Sequence, residues 1–183
     1  MKKNQKSMTF WEHIDELRKC LLYSALAVLI SSVCASFFSE NIKSFLIDPL
    51  RPSLDVVENI SLVYSDPFSP FFLYISISFF TGLFCSLPIV MFFVLRFISP
   101  AINKIKISVF IITLIVSSLL FLTGILFTYK ALIPISFSFL ISFAGNEQMI
   151  FSINSIIHKI LLICFCIGIL FQMPIVAYFL SKM

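Results

Sequence analysis

The sequence predicts an all-α integral membrane protein with four transmembrane helices, and three observations carry that prediction. The 183 residues are 60% hydrophobic and 12% charged, whereas soluble domains run near half apolar and about a quarter charged. Mean hydropathy is +1.06. The apolar residues fall in long charge-free blocks, Cys20–Ser39, Pro67–Leu95, Ile107–Tyr129 and Ile160–Ser181. Each approaches or exceeds the ~20 residues that cross a hydrocarbon core. Helices satisfy their backbone hydrogen bonds within one segment, as lipid demands.

The elements follow in order within a single membrane domain, residues 1–183, in which no repeat or linker is visible. Residues 1–19 are expected to form an arm before the first span. Thr9-Phe10-Trp11-Glu12 fits a capping box, so a helix starting near Phe10 could run unbroken into that span. Phe10, Ile14, Leu17 and Leu21 make an apolar stripe suited to the membrane surface or a neighbouring helix. Residues 40–66 form a long loop containing Pro49 and Pro52, with an apolar piece "SFLIDPLRP" that could be a short helix along the membrane, and loops of that length are usually functional. The second span carries Pro88, which removes a backbone hydrogen bond and is expected to kink the helix. Residues 96–106 form a short basic loop, and residues 130–159 a second long loop with Pro134. The fourth span holds Gln172 followed by Pro174; an amide in lipid is costly enough to seek a partner.

Lys and Arg set the expected orientation. With the N-terminus on the cytosolic (cis) side, that side holds Lys2, Lys3, Lys6, Arg18, Lys19, Arg96, Lys104, Lys106 and Lys182. The opposite (trans) side holds only Lys43, Arg51, Lys130 and Lys159. An even number of spans returns the C-terminus to the cis side. The N-terminal region does not read as a cleavable signal, because its charged part extends to Lys19 and the apolar run is too long. The formal charge of +4 is therefore an orientation charge. No basic face interleaved with aromatics points to nucleic acid.

Catalytic and metal chemistry find little support. No HExxH, P-loop or haem-attachment motif occurs, and the spans contain no paired carboxylates. Cys164 and Cys166 point to different helix faces, a poor metal pair, and His13 and His158 lie far apart in sequence. No enzyme, cofactor or metal is expected.

The stretch "MTFWEHIDELRKCLL" is the informative one. Glu12, Asp15 and Glu16 stand beside Arg18 and Lys19 at the mouth of the first span, where orientation needs only Lys or Arg. Glu12, Asp15, Glu16 and Lys19 share a side at helical spacing. They are either a solvated face with an Asp15–Lys19 pair or a surface that meets something basic.

Several stretches together resemble the TatC family, receptor subunits of the twin-arginine protein translocase. "HIDELRKCLL" is similar to the family's H-L-x-E-L-R-x-R-L. "FFSENIKSFLIDPL" resembles the end of its first span, and "SDPFSPFFLYISISFFTGLFCSLPIVMFFVLRFISPAI" its second span and following loop. "LFLTGILFTYKALIPISFSFL" and "GILFQMPIV" resemble its third and fourth spans. The resemblance implies a cup-shaped, cofactor-free membrane receptor that binds signal peptides bearing two consecutive arginines. It also implies transport of folded proteins driven by the proton-motive force, single-span TatA/TatB-type partner subunits and homo-oligomers in a bacterial, organellar inner or thylakoid membrane. Arginine pairs with carboxylates through two parallel hydrogen bonds, which suits acids at the cytosolic start of a helix.

Carried over by position, Glu16 matches the signal-contacting Glu, helped by Glu12 or Asp15, and Arg18 matches its adjacent Arg. Phe97, Pro100 and Ile102 match the cis loop segment. Pro49 belongs to the trans loop, and Pro88, Gln172 and Pro174 to the intramembrane polar and kink positions. The sequence also departs from the pattern. The second acidic contact falls at Lys106, the trans-side acid at Ser69, and the fourth-span Glu at Gln172. The family fold has six spans and this chain carries the first four. Two other readings remain open at this point: a four-helix accessory subunit of another membrane complex, and a non-functional truncated relative.

Overall fold

The computed structural model describes residues 10–50, 60–98, 107–143 and 149–182. Helix α1, Phe10–Ser36, is one unbroken rod from the arm through the first apolar block. Helix α2, Ser39–Ile47, follows after a tight turn and ends in a 3-10 turn, Asp48–Leu50. Helix α3, Ser69–Ile98, runs back and continues through Pro88 as one helix. Helix α4, Ile107–Phe127, passes through a π-helical turn, Thr128–Leu132, straight into α5, Ile133–Ser142. The fourth apolar segment is two helices, α6, Ile153–Leu170, and α7, Met173–Lys182.

Four of these helical segments are long and apolar enough to cross a membrane: Ile14–Ser36, Ser69–Phe97, Ile107–Ser142 and Ile153–Ser181. Only 11% of an 18-residue apolar stretch of the first, and 33% of one in the last, is buried inside the bundle. Large apolar side chains such as Leu21, Leu29, Ile112 and Leu180 are exposed along the outside. Such surfaces suit lipid and no aqueous phase. The all-helical membrane fold expected from the sequence is thus borne out.

Two features differ from expectation. Most of the stretch 130–159, expected as a loop, is helical. Pro134 follows directly on the π-helical turn Thr128–Leu132, where the regular α-helical ladder is already interrupted, and the apolar run "ISFSFLIS" extends the rod. The second feature is a parallel two-stranded ladder between β1, Ile60–Val63, and β2, Met149–Ser152, with Ile60 opposite Met149. It ties together two segments that lie far apart in sequence.

The larger core lies at the end of the bundle away from the N-terminus. Leu46, Leu50, Leu73, Ile77, Ile133, Phe137 and Ile157 pack together there. Tyr129 stacks on Phe45 with centroids 4.5 Å apart and donates from its hydroxyl to the Phe45 carbonyl at 2.6 Å. Lys43 donates to the Tyr64 hydroxyl at 2.9 Å, which holds its ammonium above its ordinary pKa, and its Nζ lies 5.9 Å from the Tyr74 ring centre. At the N-terminal end the core is thinner, with Leu95, Ile175 and Phe179 at its centre.

Candidate functional site

The inward face of α1 carries the site. Along α1, Glu16, Cys20, Ser24, Ala27, Val28, Ser31, Ser32 and Ala35 are the partly or fully buried positions between residues 14 and 36. Their spacing of three and four residues is one helical stripe. Apart from Glu16 and Val28 the stripe is small, which lets the α1 and α3 backbones approach closely. The approach is closest where Ser32 meets Gly82: a Cβ on Gly82 would collide with the backbone of Ser32. Nearer the N-terminal end the Cys20 thiol donates to the Phe93 carbonyl at 3.1 Å, and Tyr23 stacks on Phe93. These two contacts fix an antiparallel register.

Glu16 lies one turn beyond Cys20 on that stripe. It is half-buried, and its Oε2 is buried with no hydrogen-bond partner among the described residues. Such an oxygen usually has a donor, because leaving it unmet costs about 1–3 kcal/mol or more for a charged group. Its neighbours Asp15 and Arg18 are exposed. The apolar residues Ile14, Leu17 and Leu21 are exposed too, so α1 turns Glu16 inward and its stripe of large apolar residues outward. Glu16 therefore does not sit on a solvated face.

The same register places the last turn of α3, with Arg96 and half-buried Phe97, opposite Glu16. Glu16 and Phe97, both expected at the site, are thus brought to one end of the bundle. Pro100, Ile102 and Lys106 lie outside the described residues, as does the side chain of Glu12. Pro49 is elsewhere, in the 3-10 turn beside buried Leu50 at the far end.

Gln172 sits in the break between α6 and α7, with exposed Pro174 in the first turn of α7. Pro174 has no N–H to continue the ladder toward Leu170, which suits a break at this point. Gln172 is 7% exposed. Its Oε1 accepts from the Ser117 hydroxyl at 2.6 Å, and its Nε2 donates to the Ser117 carbonyl at 3.0 Å. Ser117, on α4, was not anticipated. Gly124 and Gly168 allow α4 and α6 to close up beside this pair, and a Cβ on Gly168 would collide with the Phe121 ring. Cys20 and Arg96 were also missed as site neighbours, although Cys20 follows Glu16 by one helical turn, a spacing legible in the sequence.

The sequence matches the family described as Sec-independent protein translocase protein (TatC) over residues 12–183. It is 34% identical to the Sec-independent protein translocase protein TatC of Aquifex aeolicus, covering 96% of this chain and 73% of that one. It is 31% identical to the Escherichia coli K12 protein of the same name, covering 93% and 66%. The fold is similar to a crystal structure of the twin arginine translocase receptor TatC, with TM-score 0.85 and 32% identity. That match covers 92% of this chain and 74% of the other. The chain thus spans about two thirds to three quarters of the length of these relatives.

Proposed function

This chain belongs to the TatC family of Sec-independent protein translocase proteins, and from that membership we propose that it is a membrane receptor for twin-arginine signal peptides. The single observation that carries this reading is the inward-facing Glu16 carboxylate, whose Oε2 is buried and lacks a donor among the described residues. A guanidinium is the donor best matched to it, since its fixed fork of N–H groups meets a carboxylate through short, charge-assisted bonds. The site opens beside the exposed Asp15, whose charge adds long-range attraction for a dibasic segment.

Binding occurs on the cytosolic side, with both termini facing it, and supports proton-motive-force-driven transport of folded proteins. Single-span Tat subunits and further copies of this chain are the proposed partners. Gln172 keeps the packing role that a polar residue has at this break and takes no part in proton transfer, because an amide does not ionise. Labelling of single cysteines placed at Asn59 and Asn146 checks the orientation. Both should react from the trans side without permeabilisation, and reaction only after permeabilisation would overturn it.

Crosslinking of a twin-arginine signal peptide to the membrane-inserted chain tests the receptor reading. Glu16→Ala should weaken the crosslink, whereas Asp48→Ala, at the far end of the bundle, should leave it intact. Equal loss from both would indicate general misfolding and contradict a specific site.

A further inference from the structure

The contact between α1 and α3 brings a second charge to the site that the receptor reading leaves unused. Cys20 bonds to Phe93 and Ser32 abuts Gly82, so each step along α1 toward the N-terminal end is matched by a step along α3 toward its C-terminal end. One turn beyond Cys20 lies Glu16. One turn beyond Phe93 lies Arg96. The charges of both act on the Cys20 thiol between them. No ion pair joins the two among the described residues: Glu16 keeps a buried, unpaired oxygen, while the Arg96 side chain is exposed.

We propose that Arg96 is the resident counter-cation of Glu16, and that an incoming arginine must displace it from the field of that carboxylate. The inference rests on Glu16 being the signal contact. Arg96 is well held in this role, because a cation in the last turn of a helix is favoured by the helix dipole. It balances the Glu16 charge while the site is empty without filling the hydrogen-bonding position, which stays open to a ligand. Once a guanidinium bonds to Glu16, the two cations share one carboxylate and repel. Like charges brought together at a partly desolvated contact lower affinity, and salt weakens the effect as the screening length shortens. Arg96 is thus a specificity-determining residue that makes the empty receptor demanding of its ligand.

The test uses the full chain in detergent or vesicles and a fluorescent synthetic signal peptide with two arginines, titrated at low and high salt. Arg96→Gln should bind the peptide about 10-fold more tightly at low salt, with the gain shrinking at high salt. Arg96→Lys, which keeps the charge, should bind as the parent does. Unchanged or weaker binding by Arg96→Gln, with an unchanged melting temperature, would overturn the proposal. Should Arg96→Gln lose its fold, Arg96→Met decides by the same criterion. Glu16→Gln, measured alongside, separates the two claims. If it loses binding while Arg96→Gln changes nothing, only the role of Arg96 fails; if it binds as the parent does, the receptor reading fails and takes the role of Arg96 with it.

Discussion

Glu16 and Gln172 are both polar side chains turned into the bundle from apolar helices, yet they end in opposite states. Gln172 has both ends of its amide engaged by one residue, Ser117. Glu16 has an oxygen buried with no partner among the described residues. The cause is chemical. A neutral amide offers a donor and an acceptor, which a serine on the next helix can meet with its hydroxyl and its carbonyl. A carboxylate only accepts, and on the facing part of α3 the Phe93 carbonyl is itself an acceptor, already engaged by Cys20, while the Arg96 side chain is exposed. Satisfied polar groups lock helices together; an unsatisfied one is a vacancy of defined chemistry. The comparison assigns Gln172 to packing and supports the proposal that Glu16 serves recognition.

Substitutions at four positions, with Ser117 as the partner in one cycle, break or sharpen that contrast. The largest effect is expected from Gly82→Leu, which drives a side chain into the Ser32 backbone and parts α1 from α3. It should cost about 3 kcal/mol in denaturant unfolding, the upper end for overpacking. Peptide binding should fall with it, because Glu16 loses its inward setting. Gln172→Leu should cost about 1–2 kcal/mol by stranding the polar atoms of Ser117, while leaving peptide affinity unchanged. A cycle with Ser117→Ala should show coupling of about 0.6–1.7 kcal/mol, the range for hydrogen bonds between membrane helices.

Lys106→Glu follows. Exchanging repulsion for attraction near a wetted surface should tighten signal binding about 10-fold at low salt, with Lys106→Gln between the two. Equal binding by all three residues would place position 106 away from the ligand. The smallest effect is Tyr64→Phe, under about 1 kcal/mol because the Lys43 contact is exposed. The folded state raises the Lys43 pKa above its ordinary 10.5. Its contribution is therefore fully present below pH 10.5 and lost as pH rises through the raised value. The difference from the parent should be flat through neutral pH and vanish in strong alkali.

The four membrane-length segments are legible in the sequence from block length, and the "HIDELRKCLL" motif singles out Glu16 as the candidate contact. The facing of Glu16 is not legible there. Spacing puts it on a side with Glu12, Asp15 and Lys19, whereas the packing of α3 buries Glu16 in part and leaves Asp15 and Lys19 exposed. A clue was present in Ser24, Ala27, Ser31 and Ala35, small residues at helical spacing that continue from Glu16 and Cys20. The Ser117–Gln172 pair needed the register between two helices, which sequence alone does not supply. The ladder of Ile60–Val63 with Met149–Ser152 escaped notice because four residues are too few to show a strand period. The α5 extension is not legible because a proline such as Pro134 is as common in loops as at the opening of a helix, the place it occupies here.

The central claim is that Glu16 is held unpaired to receive a guanidinium. The direct measurement is the affinity of a twin-arginine peptide for the parent and for Glu16→Gln in the same membrane mimic, with unfolding stability recorded for both. Loss of a charge-assisted bond should weaken binding by about 2 kcal/mol, or roughly 30-fold. Stability should stay level or rise, since the substitution removes an unmet charge. Unchanged affinity, or a loss of stability as large as the loss of affinity, would contradict the account.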